Sequence, residues 1–340
     1  VSHILDSKVR APRSEDGHDP PSAQSTVHPE RLAPHDAVAL KAGAGLSLVG
    51  DIRLESGVTL SCRSVEPAAG EAPTALLIHG VNANMAFWHP HLVQCLRAAR
   101  RLVMFDLRGH GYSDMPATGY TSRDLASDAL GVLDAHGVEQ ADLLAHSFGA
   151  AAALQLAWRH PDRVRSLVLL DARVFSLQAA LRLKDWSGFD RWRGHFARAG
   201  IEFAPELEVD FHLPQLLEGE LWEEVREGLE RDGFFVPQGG RRTRARQRKL
   251  ARETSAAQDV RDTAGLTAEA LGEIAQVTTA IYGANSAYLP TQNGLAQGLP
   301  DCRTALIDGG GHNFPFTLPD ETAERVLEFW HERDAERGEA

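Results

Sequence analysis

The chain predicts an α/β fold: a mostly parallel central sheet flanked by helices, with a helical insertion. Three observations carry that expectation. Short apolar runs such as Thr74–Ile78 and Ser166–Leu170 read as strands buried on both faces, as parallel strands are. Helical runs alternate with them, which calls for crossovers within a parallel sheet. The alternation stops near residue 172 and resumes near residue 277, so a helical segment of bulky side chains interrupts the sheet. A chain of 340 residues can bury one large core plus such an accessory element.

The elements follow in order. Residues 1–45 scatter Pro12, Pro20, Pro21, Pro29 and Pro34 among polar residues without apolar periodicity, and are expected to be a disordered tail. Its histidines, His3, His18, His28 and His35, match no metal-ligand spacing. Leu46–Leu54 and Val58–Val65 alternate apolar and polar residues around Glu55-Ser56-Gly57, a hairpin signal. Thr74–Ile78 is followed by His79-Gly80-Val81-Asn82, and Met85–Arg101 reads as one helix with Trp88, Leu92 and Leu96 on a face. Arg101–Asp106 is a strand running into Leu107-Arg108-Gly109-His110-Gly111-Tyr112-Ser113. Thr121–His136 is a helix, with Ser122 and Asp124 near its start. The core is expected over 46–171 and 277–340, with 172–276 as the inserted helical segment. Within the insertion, Trp186, Phe189, Trp192 and Phe196 fall at helical spacing on one face. Val277–Tyr282 and Arg303–Ile307 are the last strands, and a helix starts at Pro319.

Composition narrows the function. The net charge of −12 argues against nucleic acid or an anionic membrane as partner. Three widely spaced cysteines, Cys62, Cys95 and Cys302, form neither a disulfide framework nor a metal-ligand motif, which suggests a reducing compartment. No charged-then-apolar leader and no membrane-spanning run is present, so a cytoplasmic location is expected. Gly309-Gly310-Gly311 lacks the Lys-Ser/Thr continuation of a phosphate loop. No metal or cofactor is implied.

The chemistry centres on Ala145-His146-Ser147-Phe148-Gly149, between the strand Ala141–Leu144 and an Ala-rich helix. A serine at a sharp strand-to-helix turn needs small residues two before and two after it. Ala145 and Gly149 supply them, Ala145 standing where glycine is usual. His312, on a Gly-rich loop after the last strand, offers a base for the serine. Asp171, at the end of an apolar strand, is a charge that needs a partner. From the residues alone, Asp171, Asp308 or a serine–histidine pair without an acid stay open.

Together, His79-Gly80, the Asp106–Ser113 segment, the turn at Ser147 and Gly311-His312, in that order, resemble the α/β-hydrolase superfamily from about Leu46 onward. The resemblance implies an α/β-hydrolase fold with a helical cap over 172–276. It implies Ser147 as nucleophile, His312 as base, and the backbone N–H groups of Val81 and Phe148 as oxyanion donors. Most relatives carry the acid after the seventh strand, but that slot here reads Gly283-Ala284-Asn285-Ser286. Branches that include haloalkane dehalogenases place it after the sixth strand, which is Asp171. Asp106 is read as shaping a turn. His79, Asn82, His146, Trp186, Phe189 and Trp192 are the candidates for a substrate pocket, and His79, His110 and His146 also fit packing roles.

The expectation is a serine hydrolase that cleaves an ester or thioester of a hydrophobic small molecule, free or carrier-bound, through an acyl-enzyme. The alternatives are a lyase or tailoring enzyme of secondary metabolism that eliminates an acyl group as a carboxylate, and a ligand receptor without catalysis. The basic run Arg241–Lys249 reads as a solvated face, or as a dock for an acidic carrier or anionic group. The oligomeric state stays open.

Overall fold

The computed structural model describes residues 47–88, 90–185, 189–198, 200, 202–208 and 241–338. The expected tail and Trp186 lie outside the described residues, as does the side chain of Trp192.

Eight strands form one sheet: β1 (Ser47–Arg53), β2 (Thr59–Val65), β3 (Thr74–Ile78), β4 (Arg101–Phe105), β5 (Ala141–His146), β6 (Val164–Leu170), β7 (Thr278–Gly283) and β8 (Cys302–Ile307). Their order across the sheet is β1-β2-β4-β3-β5-β6-β7-β8. β1 and β2 pair antiparallel, as does β2 with β4, and every later pairing is parallel. The parallel strands therefore end on one side, where α/β sheets bind their ligands.

The described helices are α1 (Pro90–Leu96), α2 (Ser122–Ala135), α3 (Phe148–Arg159), α4 (Phe189–Arg198), α5 (Arg241–Glu253), α6 (Ala256–Asp259), α7 (Ala268–Leu271), α8 (Leu289–Gly298), α9 (Phe314–Thr317) and α10 (Pro319–Arg337). Strand periodicity divides the core into two. Leu76 and Ile78 of β3 face one side with α2 and α3, while Ala75 and Leu77 face the other with α1 and α10. The parallel strands β3 to β7 are thus covered on both faces, which is why they read as continuous apolar runs, whereas the edge strand β8 leaves Arg303, Thr304 and Leu306 exposed.

One expected helix is broken. In place of a single helix over Met85–Arg101, a 3₁₀ turn at Met85–Phe87 precedes α1. Pro90 has no N–H to continue a helix from that turn, so the chain restarts with Pro90 at the first helical position. The Asn84 side chain accepts from the Ala86 N–H and closes the turn. At α2 the Thr121 hydroxyl and the Asp124 carboxylate form a reciprocal capping box, which fixes the start one residue later than expected.

The basic run is corrected in part. Arg241–Lys249 belongs to α5, and that helix is not simply solvated. Leu250 is buried, and the Arg246 guanidinium donates to the carbonyls of Gly109 and Ser113. Gln247 donates to the carbonyl of Asn82 at 2.5 Å, and the Arg242 guanidinium lies 4.2 Å from the centre of the Tyr112 ring. Gly109, at φ 79°, has no room for a side chain, because an added Cβ would meet Leu250 at 2.4 Å. Arg242 and Lys249 stay exposed.

A buried ion network ties the sheet to the last helix. Arg100, 1% exposed, donates to Asp142 of β5 at 2.7 Å and to both oxygens of Asp334 of α10 at 2.8 and 2.9 Å. It also stacks on Trp330, 4.9 Å from the ring centre. Ser166 donates to the other Asp142 oxygen at 2.7 Å. Removing the cation leaves two buried carboxylates short of their main partner. Arg100→Ala is expected to lower stability by about 3–5 kcal/mol, read as a shift of the urea midpoint.

Candidate active site

Ser147 sits between β5 and α3 with φ 55° and ψ −127°, a conformation that L-residues avoid. Two backbone bonds to the neighbouring strand end hold it there. Its N–H donates to Leu170 O at 3.1 Å, and its carbonyl accepts from Arg173 N–H at 3.0 Å. The flanking small residue is required sterically. A Cβ on Gly149 would lie 2.6 Å from the carbonyl oxygens of Ile78 and His79. Gly80 is as crowded, since its added Cβ would lie 2.7 Å from Ser147 Cβ.

Three residues from three strand ends then come together. His312 Nε2 is 3.0 Å from Ser147 Oγ, and His312 Nδ1 is 2.9 Å from Asp171 Oδ1. The carboxylate can only accept, so Nδ1 carries the proton and the Nε2 lone pair faces the serine hydroxyl. Asp171 is fully buried, with φ 44°. Its charge is met by the Ser286 hydroxyl on Oδ1 at 2.5 Å and the Gly283 N–H on Oδ2 at 3.0 Å. Asp308, the rival acid in the sequence, is exposed.

Ser286 is a partner that sequence reasoning missed. Its signal was available: it occupies the loop after β7 where the resemblance led one to look for a carboxylate. There it donates a hydrogen bond to the acid that stands after β6.

The two backbone amides expected to bind an oxyanion are placed as follows. Phe148 is the first residue of α3, so its N–H has no acceptor within the helix. Val81 follows Gly80 on the turn after β3, beside Ser147. That turn is fixed by two buried histidines. Leu107 N–H donates to His79 Nε2 at 3.0 Å, and His79 Nδ1 bonds to Gly80 O at 2.8 Å. Asn82, at φ 65°, donates its N–H to His110 Nε2 at 3.1 Å, while His110 Nδ1 bonds to Arg108 O at 2.9 Å. In both rings a backbone donor occupies Nε2, so the proton is on Nδ1 and each imidazole is neutral. Burial pushes His79 down to about 4, and burial together with His79 pushes His110 down to about 3.

His146 packs differently. Its Nε2 bonds to the His312 carbonyl at 2.8 Å, and its ring lies between Phe87, stacked at 4.3 Å, and His312, at 4.7 Å. Burial and the neighbouring His312 lower its pKa well below the ordinary value.

These contacts correct part of the expected pocket. His79 is 0% and His146 3% exposed, so neither can form the wall of an open pocket. Both nitrogens of His79 and Nε2 of His146 bond to backbone, while His146 Nδ1 is buried without a hydrogen-bond partner among the described residues. Phe189 packs with Phe196 and Phe203, ring centres 6.4 and 6.2 Å away, inside the inserted segment. Asn82 is half-buried on the turn beside Ser147. Asp106 accepts from the Met85 and Tyr112 N–H groups at 2.7 and 2.8 Å, as a turn-shaping residue does.

The fold and this constellation define an α/β-hydrolase. A model of the alpha/beta hydrolase fold family matches residues 73–317, and the chain belongs to that family. It is similar to a 2-hydroxymuconate semialdehyde hydrolase from Pseudomonas putida, 30% identical over 271 residues, 78% of this chain and 90% of the relative. A second protein of that name, from Pseudomonas sp. (strain CF600), is 36% identical over 156 residues, 40% of this chain and 55% of its own length. The enol-lactonase from Burkholderia xenovorans LB400 shares the fold, with a TM-score of 0.57 at 21% identity over 82% of this chain and 99% of that one. The chain is thus an enzyme of the hydrolase type. Among the described residues no helix is long and apolar enough to cross a membrane.

The buried histidines set a pH dependence. A base whose pKa is lowered by folding binds fewer protons folded than unfolded, so stability is lost as pH falls. The window for His79 and His110 runs from the unfolded value near 6.5 down to about 4 and about 3. Each unit is worth about 1.4 kcal/mol. His110→Gln is expected to flatten the slope of unfolding free energy between pH 6.5 and 4, measured by urea titration, relative to the parent. An unchanged slope would contradict the neutral buried pair.

Proposed function

We propose that the chain is a serine hydrolase for esters or thioesters of hydrophobic small molecules. One observation carries this reading: the continuous chain from Ser147 Oγ through His312 to Asp171, at 3.0 and 2.9 Å. A serine hydroxyl attacks a carbonyl only when a base takes its proton. In the proposed sequence, Ser147 Oγ bonds to the carbonyl carbon while its proton moves to His312 Nε2. Asp171 keeps the imidazolium oriented and stabilised. The Val81 and Phe148 amides receive the developing oxyanion. Collapse breaks the bond to the alcohol or thiol, which leaves with the proton from His312. Water, deprotonated by His312, then releases the acid and restores Ser147. The apolar substrate class is supported by the Tyr288 ring, edge-on to His312 at 4.7 Å.

A second reading follows from the Pseudomonas putida relative, matched over 90% of its length. 2-Hydroxymuconate semialdehyde has no ester, so its hydrolysis must break a carbon–carbon bond beside the aldehyde carbonyl. The same residues suit that reaction, with His312 returning the proton to the departing carbon.

The first test is intact-mass analysis after a fluorophosphonate probe. A single adduct that is lost in Ser147→Ala is expected, and no adduct on the folded protein would remove the nucleophile assignment. Turnover of p-nitrophenyl and thioester acyl series against 2-hydroxymuconate semialdehyde then separates the two substrate classes. On whichever substrate turns over, Asp171→Asn is expected to lower kcat by about 10⁴ through loss of the correct tautomer. Ser286→Ala is expected to lower it roughly tenfold, the equivalent of one charge-assisted hydrogen bond. Equal effects of the two variants would mean that Asp171 does not act on His312.

A further inference from the structure

We propose that His91, Cys95 and Asp320 form a surface site for a divalent transition-metal cation of the zinc class. His91 and Cys95 stand four residues apart on α1 and so share one face of it. Asp320 lies in the first turn of α10. The two helices pack through their apolar faces, with Leu92 and Leu96 in one buried cluster with Ala323 and Val326. That packing brings His91 Nε2 to 2.5 Å from Asp320 Oδ1 and 3.8 Å from Cys95 Sγ. One ligand atom from each of the three lies within 4.8 Å of the others.

The spacing suits a cation. Metal–nitrogen and metal–oxygen bonds near 2.0 Å and a metal–sulfur bond near 2.3 Å, at tetrahedral angles, separate the ligand atoms by about 3.3–3.6 Å. The His91–Cys95 pair is already close to that. The His91–Asp320 pair must open by less than about 1 Å. Their side chains are 50% and 76% exposed, so the shift takes place at the surface and not in the packed core.

The donor set selects the class. Imidazole nitrogen, thiolate sulfur and carboxylate oxygen together suit zinc or cobalt, whereas magnesium and calcium take oxygens. As the metal–sulfur bond forms, the Cys95 thiol gives its proton to solvent. The thiolate and the carboxylate then balance the two positive charges, with no change of oxidation state. A water completes the coordination.

The site also has a position relative to the chemistry. The segment before α1 carries Val81, Asn82 and Phe87. The segment between β8 and α10 carries His312, just before α9. A cation between α1 and α10 therefore staples together the two chain segments that flank Ser147.

The test is a titration of the metal-free full chain with Co²⁺, following the thiolate-to-cobalt charge-transfer band. The expected result is one equivalent bound with that band, displaced by Zn²⁺ and not by Mg²⁺, and absent in Cys95→Ser. His91→Gln and Asp320→Asn are each expected to weaken Co²⁺ binding by at least about tenfold, the smallest loss seen even for supporting residues of metal sites. Zn²⁺ should raise the melting temperature of the parent and not of Cys95→Ser. All three thiols are raised, Cys62 to about 12 and Cys302 to about 11 by burial, and Cys95 by burial and the nearby Asp320 carboxylate, so the Cys95→Ser variant decides which thiol gives the band. No thiolate band in the parent, or a band that survives Cys95→Ser, would overturn the site. So would unchanged affinity in both His91→Gln and Asp320→Asn, which would mean a lone thiol binding metal.

Discussion

The constraint on which the site depends is the charge of Asp171. A carboxylate wholly out of water must be matched by donors, or it would cost several kcal/mol. The donors come from two further strand ends: the Gly283 N–H at the end of β7 with the Ser286 hydroxyl just after it, and His312 after β8. Satisfying one buried group therefore sets the mutual positions of three loops. Ser147 is drawn into the same arrangement through His312 and through its backbone bonds to Leu170 and Arg173 on either side of Asp171. The unfavourable backbone of Ser147 persists because this surrounding network over-determines it.

Neutral imidazoles do the corresponding work on the other side of the serine. A neutral ring offers one donor and one acceptor, which is what a loop needs when it presents a backbone N–H and a carbonyl in different directions. His79 joins the turns after β3 and β4, and His110 joins the same turns one layer further out. Their edge-on packing, with ring centres 5.4 Å apart, works only while both are uncharged. His146 uses one nitrogen only, Nε2, to donate to the carbonyl of His312. The four histidines gathered around Ser147 thus divide into one that faces the serine hydroxyl and three that hold loops.

The inserted segment meets the core through polar as well as apolar contacts. α5 closes over the turns after β3 and β4, with Leu250 against Gly109 and with Arg246 and Gln247 capping carbonyls that the strands leave unpaired. A basic run in an acidic chain suggested solvent or a partner. Arg246 and Gln247 of that run instead satisfy main-chain acceptors on the turns after β3 and β4, a use of arginine that charge patterning alone does not reveal.

Much was legible along the chain because strand periodicity and turn chemistry are local. The apolar runs located β3 to β8, and the small residues around Ser147 marked a turn that only they can enter. His312 was legible from its glycine-rich loop after a strand. The break before α1 was not read, although Pro90 stood in view, since an apolar face spanned it. The identity of the acid was beyond local reading. Asp171 and His312 are separated by 141 positions, and only the parallel order of β6, β7 and β8 brings them within 2.9 Å. The same holds for His91, Cys95 and Asp320, which no motif spacing links, because His91 and Asp320 lie 229 positions apart. By itself the sequence determined which elements form and which side chains stand at their ends. The tertiary structure decided which of those ends meet, because strand order and helix packing are set by burial of the whole core and not by any neighbour in the chain.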